Sequence, residues 1–402
     1  MALKLLINSL FRGGAEKQFA ALAALLPHEL FLLLERETAQ APGLQKLAFL
    51  SDHDASTSSA FKTACIPVYA RRLAALTKRG DTVLSFMERS NFVNILAARR
   101  SGHRTVVCER TRPSGEFSGL RGALMRPLIK KLYPEADLIV ANSLGVKRDL
   151  ADGFFVPAGK IKVIHNGCDT AGIAEQASRP LEGFYDAVFK RPVVITSGRL
   201  TAAKGQWHLL RSFKKVKISA DDAALVLLGE GELKNYLAGL SRELGFKTFS
   251  GRGTPPPDAD VYFTGFQANP YRFLARARLF ALPSLWEGFP NALVEALASG
   301  VPVLASDCAS GPREILSPET PFYYRTLKAE PAPYGRLMPV LSGLRRAAAA
   351  PLDPTEEIWA ETMGEMLEDA GSRGKYARAG LRRAEDFELS KIAALWRNLL
   401  TP

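Results

Sequence analysis

The chain has 402 residues, too many for one ordinary hydrophobic core, so two domains of roughly 150 to 200 residues each are expected. Its apolar fraction of 47% is that of a globular protein and excludes a chain dominated by disorder. A formal charge of +12 points to an anionic partner: nucleic acid, a membrane surface or a phosphorylated substrate. No run of 18 uninterrupted apolar residues exists to span a bilayer, and "MALKLLINSLFRGGAEKQ" lacks the small-residue cleavage site of a signal peptide, so a cytoplasmic protein is expected. The four cysteines, Cys65, Cys108, Cys168 and Cys308, are scattered without a CxxC pair and read as reduced core residues. Zinc-finger, RRM-like and helix-turn-helix patterns are missing, which leaves nucleic acid the least supported partner.

In chain order, "LKLLINSL" is a run of strand length, "FRGG" a turn, and "AEKQFAALAALL" a helical pattern ending before Pro27. Apolar runs follow at "ELFLLL", "TVLSFM", "TVVCE", "ADLIVANS" and "KVIHNG", with helix-like stretches such as "NFVNILAARRSG" between several of them. Alternation of this kind predicts a mostly parallel sheet covered by helices on both faces, over residues 1–167. Residues 168–190 lose the strand pattern and read as a linker or connecting helix. The pattern restarts with "PVVITSGRL", "ALVLLGEGE", "VYFTGF", "ARLFALPS" and "VPVLASD", predicting a second doubly wound domain over 191–375. "YRTLKAEPAPYG" reads as an insertion, and residues 376–402 end in the amphipathic "SKIAALWRNLL".

Ligands of open α/β sheets bind beyond the carboxyl ends of the strands, so the turns after each run are where chemistry is sought. Gly13 and Gly14 follow the first strand and open a helix, where their N–H groups can approach an anion; a plain tight turn fits them equally. Arg199 and Lys204 share one loop with Gly198 and Gly205, an arrangement suited to clamping a diphosphate. In "SLWEGFPNALVEALASGVPVLASD", Pro290 is a natural first helical residue, so Glu287 falls in the preceding loop and Glu295 in the second helical turn. A carboxylate at Glu295 can accept hydrogen bonds from vicinal hydroxyls such as those of a ribose, and Glu287 can do the same for a sugar. The strings Asp52 to Asp54 and Asp258 to Asp260 have the Asp-x-Asp form of a metal site but lie in Ser-rich and Pro-rich turns, which favours solvated loops.

Together "GGAEKQ", "SGRLTAAKG" and "EGFPNALVEALASGVPVLASD", with the Glu-x7-Glu spacing of Glu287 and Glu295, resemble the retaining glycosyltransferases of family 4, and in the right order over nearly the whole chain. The resemblance implies the α/β GT-B fold, two facing Rossmann-like domains with the active site in the cleft between them and a final helix returning to the first domain. It places Arg199 and Lys204 on the donor diphosphate, Glu295 on the ribose, and Glu287 with Gly288, Phe289, Pro290, Asn291, Ala292 and Leu293 around the transferred sugar and its nucleotide. Gly13 and Gly14 would lie against the phosphates, Gly265 and Phe266 near the base, and Gly198, Gly229 and Gly231 along the same crevice. Many relatives carry a sugar-contacting histidine after the strand equivalent to "TVVCER", where this chain has Glu109 and Arg110; either is a candidate contact to sugar or acceptor, and no catalytic histidine is assigned. The implied partners are a nucleotide sugar, with UDP preferred over GDP, and a glycan or lipid-linked glycan acceptor, with no metal and no other cofactor. The alternatives are a nucleotide-sugar epimerase of the same fold and a non-catalytic basic protein docking on membranes. Nine Arg or Lys between Arg99 and Lys131, with Phe117, Leu120, Leu124, Leu128 and Leu132 at helical spacing, predict either a surface helix packing its leucines or a contact with anionic lipid.

Overall fold

The computed structural model describes residues 2–10, 13–38, 46–181, 183–251 and 253–401, and the chain divides into two compact units. Unit 1 comprises Met1–Gly167 and Leu389–Pro402; unit 2 is the contiguous Cys168–Glu388.

Unit 1 is built on seven strands: β1 (Leu3–Ile7), β2 (Leu30–Leu33), β3 (Leu47–Phe49), β4 (Thr82–Phe86), β5 (Arg104–Glu109), β6 (Leu138–Ala141) and β7 (Ile161–Val163). They lie in the order β3-β2-β1-β4-β5-β6-β7 and every pairing is parallel. The strands are mostly apolar because helices bury both faces of a parallel sheet. One core holds Leu6, Val83 and Val107, and the other holds Leu5, Leu84 and Val106. The chain runs from β1 outward to β3 and then returns to the other side of β1, so the topological switch point lies between β1 and β4.

Unit 2 repeats the scheme with β8 (Val193–Ser197), β9 (Ala224–Leu228), β10 (Thr248–Phe249), β11 (Val261–Gly265), β12 (Leu279–Leu282), β13 (Val303–Ser306), β14 (Glu330–Ala332) and β15 (Gly335–Met338). Their order is β10-β11-β9-β8-β12-β13-β15-β14, and the single antiparallel pair is β14 with β15. Here the switch point lies between β8 and β12.

Three expectations change. Residues 168–190 are no linker: helices Thr170–Ser178 and Gly183–Phe189 pack Ile173, Tyr185 and Val188 into the core of unit 2, with Tyr185 edge-on to Phe273 at 5.1 Å. Their small and charged residues face outward, which hid the apolar positions. The expected insertion supplies β14 and leads into β15, the latter extending the sheet beside β13. Helix Ala370–Ala384 belongs to unit 2, so only Leu389–Pro402 returns to unit 1, where helix Leu389–Leu400 buries Ile392, Ala393 and Trp396 against the core containing Phe86. The two crossings lie side by side: Cys168 N donates to Phe387 O at 2.7 Å, and Cys168 bridges Glu388.

Candidate active site

At the switch point of unit 2 the turn after β8 meets the turn after β12. Leu285 N donates to Ala203 O at 2.8 Å, and Gly205, at φ +60°, lies so close that a Cβ would sit 2.5 Å from Pro283 O. The turn after β9 is layered on that after β8 in the same way: Gly198 N donates to Leu228 O, Leu200 N donates to Glu230 O, and a Cβ on Gly229 (φ +134°) would fall 2.0 Å from Gly198 O. Glycines are required at these crossings for backbone packing alone, whatever else the loops hold. Gly231 abuts Leu200 O, and Gly265 continues the stack, since Gly229 N donates to Gly265 O.

The layering joins two side chains 83 residues apart: Lys204 Nζ is ion-paired with Glu287 Oε1. The same oxygen accepts from Ser284 Oγ at 2.7 Å, and Ser310 Oγ donates to Glu287 O. Glu287 is thus largely buried and held from three sides. Its negative field adds to burial in pushing the nearby Cys308 thiol up to about 12. Arg199 is exposed, its guanidinium has no partner among the described residues, and its carbonyl is fixed by Gln206 Nε2 at 3.0 Å. The arrangement is one positioned ammonium, one buried carboxylate and one solvated guanidinium, a set that can bind a polyanion together with a hydroxyl-bearing group.

Pro290 is the N-cap rather than the first residue of helix Asn291–Ala298. The Glu295 side chain is half-buried in the second turn, and Tyr271 Oη donates to its Oε1 at 3.3 Å. Gly288 is buried, and Asn291 and Ala292 are half-buried at the helix start. Phe289 and Leu293 are core side chains, Phe289 lying 5.4 Å from the Phe387 ring, so only their backbones remain for a ligand. Phe266 is 49% exposed. Sequence reasoning missed Ser284, Ser310 and Tyr271, which hold the two glutamates; only Ser284, three residues before Glu287, carried a local signal.

In unit 1, Gly13 is the N-cap and Gly14 the first residue of helix Gly14–Leu25, and the Glu16 carboxylate folds back over Gly13. Glu109, one of the two candidate contacts, lies at the end of β5. It is fully buried, its Oε1 accepts from Arg110 N and Thr111 N, and its Oε2 accepts from Tyr133 Oη at 2.8 Å. Burial first, then the neighbouring Glu88 carboxyl, pushes Glu109 up to about 8, and Glu88 is raised as well. Arg110 lies 4.5 Å over the Phe86 ring and donates to Asn166 Oδ1, and burial pushes it down to about 10. His103 is a core residue bonded to Asn94 and Ser101, with burial lowering it to about 4.

The carboxylates of the Asp-x-Asp strings are taken up by neighbours: Asp52 pairs with Arg36 at 2.7 Å, Asp54 with Ser56, Asp258 with Lys247 and Asp260 with Lys217 at 2.7 Å. Among the described residues, one cluster has metal-ligand spacing, His208, Asp353 and Glu356. It does not fit a cation, because Arg211 Nε sits 2.9 Å from Glu356, Gly343 N donates to His208 Nε2, and Asp353 caps a helix.

The family model described as Glycosyltransferase Family 4 matches residues 13–171, and that of Glycosyl transferases group 1 matches residues 186–321. The chain is 30% identical over 401 residues to N-acetylgalactosamine-N,N'-diacetylbacillosaminyl-diphospho-undecaprenol 4-alpha-N-acetylgalactosaminyltransferase of Campylobacter jejuni, covering 97% of each protein. It is 35% identical over 290 residues to an uncharacterized glycosyltransferase of Methanocaldococcus jannaschii, covering 70% of this chain and 68% of that one. The fold matches HepE of Anabaena, solved with UDP and glucose, at a TM-score of 0.72 and 19% identity over 100% of this chain and 99% of that one. Sucrose-phosphate synthase of Thermosynechococcus elongatus gives a TM-score of 0.72 at 17% identity over 99% and 98% of the two chains. By sequence and by fold, the chain belongs to the family 4-like glycosyltransferases of the GT-B fold.

Proposed function

We propose that the protein is a retaining, metal-independent transferase that moves a hexose or N-acetylhexosamine from a UDP-sugar to a glycan or lipid-linked glycan in cell-surface glycoconjugate synthesis. The observation that carries this reading is the Lys204 and Glu287 pair at the switch point of unit 2, beside the unpaired guanidinium of Arg199. An arriving diphosphate competes with Glu287 for the Lys204 ammonium, and the released carboxylate then accepts hydroxyls of the transferred sugar. The anomeric carbon to phosphate oxygen bond breaks as the acceptor oxygen bonds to the same face of that carbon, and the acceptor proton passes to the leaving diphosphate. Lys204 and Arg199 stabilise the charge developing on that group, the part a metal plays elsewhere. UDP is favoured over GDP by the UDP complex of the fold relative, and the lipid-linked acceptor by the printed activity of the Campylobacter jejuni relative. Among the described residues no helix is long and apolar enough to cross a membrane, and a peripheral contact is proposed instead. In helix Gly119–Leu132, Leu120 is 93% and Leu124 54% exposed beside Arg121, while Lys130 lies against the exposed Phe155 ring.

A thermal-shift panel with UDP, GDP, ADP and their sugars tests the donor, since a ligand at 100 times its Kd adds about 2.7 kcal/mol. Transfer from the preferred donor, with the anomeric configuration of the product read by NMR, tests the reaction. An inverted linkage, or no stabilisation by any nucleotide, rejects the proposal.

A further inference from the structure

The turn after β13 carries a buried ion network that the site above does not use. Asp307 is fully buried, and Arg313, 2% exposed, faces it from the short helix Pro312–Leu316: Arg313 Nε donates to Asp307 Oδ1 at 3.1 Å and Nη2 to Oδ2 at 2.6 Å. The far side of the guanidinium takes Glu330 of β14, Nη1 donating to Oε1 at 2.9 Å and Nη2 to Oε2 at 2.8 Å. Nη1 also donates to Thr320 Oγ1 at 3.1 Å. All five N–H groups of the arginine are therefore engaged, in a planar fork that a lysine cannot copy. Replacing a buried pair of this kind by apolar residues is often neutral for stability, so stability alone does not account for it.

What the pair fixes is the turn over residues 308–311, which Asp307 and Arg313 close from its two ends. This turn lies against the loop of Glu287. Ser310 Oγ donates to Glu287 O, and Gly311, at φ +94°, is so close that a Cβ would fall 2.4 Å from Pro290 Cδ and 3.3 Å from Gly288 O. The Glu287 carboxylate is held separately, by Lys204 and Ser284, so its backbone rests on one turn and its side chain on another. A shift of the 308–311 turn passes directly to the backbone from which the carboxylate extends. Misplacing a group at a reacting centre by about 1 Å can cost on the order of 10²-fold in rate.

We propose that Arg313 is a positioning residue for Glu287, acting through Ser310 and the turn that Asp307 and Arg313 close, without touching a ligand itself. The inference rests on the transferase reading above, in which the Glu287 carboxylate accepts hydroxyls of the transferred sugar. The test is a double-mutant cycle on the full chain. It reads kcat for transfer from the UDP-sugar and, by calorimetry, the Kd for free UDP, which lacks the sugar that Glu287 holds. Ser310→Ala lowers kcat about tenfold or more and leaves the Kd for UDP within about twofold. The loss disappears in the Glu287→Gln background, where no positioned carboxylate is left to misplace. Arg313→Lys gives the same pattern, and Glu330→Ala, which removes the partly exposed partner of the guanidinium, carries the test if Arg313→Lys does not fold. Near-normal kcat in Ser310→Ala, a loss of equal size in both backgrounds, or near-normal kcat in both Arg313→Lys and Glu330→Ala overturns the positioning role and leaves the transferase reading in place. Near-normal turnover in Glu287→Gln itself overturns the role given to Glu287, and this inference with it.

Discussion

Lys204 and Arg199 carry the same charge in different settings, and their alanine variants separate two costs. Arg199 is exposed and has no partner among the described residues, so Arg199→Ala changes stability by no more than about 0.5 kcal/mol while turnover falls on the order of 10²-fold. Lys204→Ala produces a similar fall in kcat and also lowers the melting temperature, because it strands a Glu287 carboxylate only 9% exposed. Near-normal turnover in both variants removes the leaving-group role. Glu295→Ala raises the Kd for free UDP about 10- to 100-fold by calorimetry, the loss of hydrogen bonds to one carboxylate; an unchanged Kd makes Glu295 a structural partner of Tyr271. Glu109 gives a pH signature. Its folded value of about 8 stands above the ordinary 4.5, so its stabilising contribution is complete below about 4.5 and is lost as pH rises through about 8. Glu109→Gln, which mimics the protonated acid, flattens that decline in urea unfolding curves across the interval, and an unaltered slope refutes the assignment. The glutamates and the basic loop were visible as residues, but the bond between Lys204 and Glu287 was not, since nothing local in either segment encodes a contact 83 positions away.

Elements were legible wherever strands buried on both faces left apolar runs, as at "VVITS" and "ALVLL", and failed where a helix hid its core position among small and polar residues, as Ile173 in Thr170–Ser178. The stripe through Phe117 and Leu132 is a mixed case: Phe117 and Leu132 are buried and Leu128 packs against the core, while Leu120 and Leu124 face outward. That outer pair with its basic flank gives a test of the lipid proposal. Sedimentation with anionic vesicles exceeds that with neutral ones, falls at high salt, and drops about tenfold in Leu120→Asp; equal binding to both vesicle types rejects it. The turn after β8 makes its own prediction, that transfer continues in excess EDTA because the cationic loop supplies the positive charge. Loss of activity on chelation, restored by manganese, overturns it. In unit 2, helix Gln206–Ser219 is tied to helix Pro354–Glu368 through Arg211, which donates to Glu356 and to three carbonyls of the segment between Ala347 and Pro351. Arg211→Leu leaves Glu356 buried without its guanidinium and costs about 3 to 5 kcal/mol in denaturant unfolding, whereas an isolated surface pair would cost below about 1 kcal/mol.

At the scale of the molecule, the repeated strand-and-helix rhythm gave away two doubly wound sheets, but the strand order and the discontinuity of unit 1 are set by long-range packing that no local pattern records. Trp396, 2% exposed near Phe86, makes the C-terminal segment part of the unit 1 core. Trp396→Ala therefore costs about 3 to 5 kcal/mol, seen as a lowered first transition in calorimetry with the transition of unit 2 in place; a shift of both together or of neither refutes the division. The same arrangement has a consequence for synthesis. A ribosome delivers the chain from its amino end, yet the first 167 residues lack a core helix whose residues are translated only after all of the contiguous second unit. Unit 2 can close as soon as it has emerged, whereas unit 1 must wait with Phe86 and its neighbours uncovered until Trp396 has emerged as well. Unit 1, though its strands emerge first, thus finishes folding after unit 2, and the emergence of helix Leu389–Leu400, rather than that of its own strands, sets the moment at which its core can be sealed.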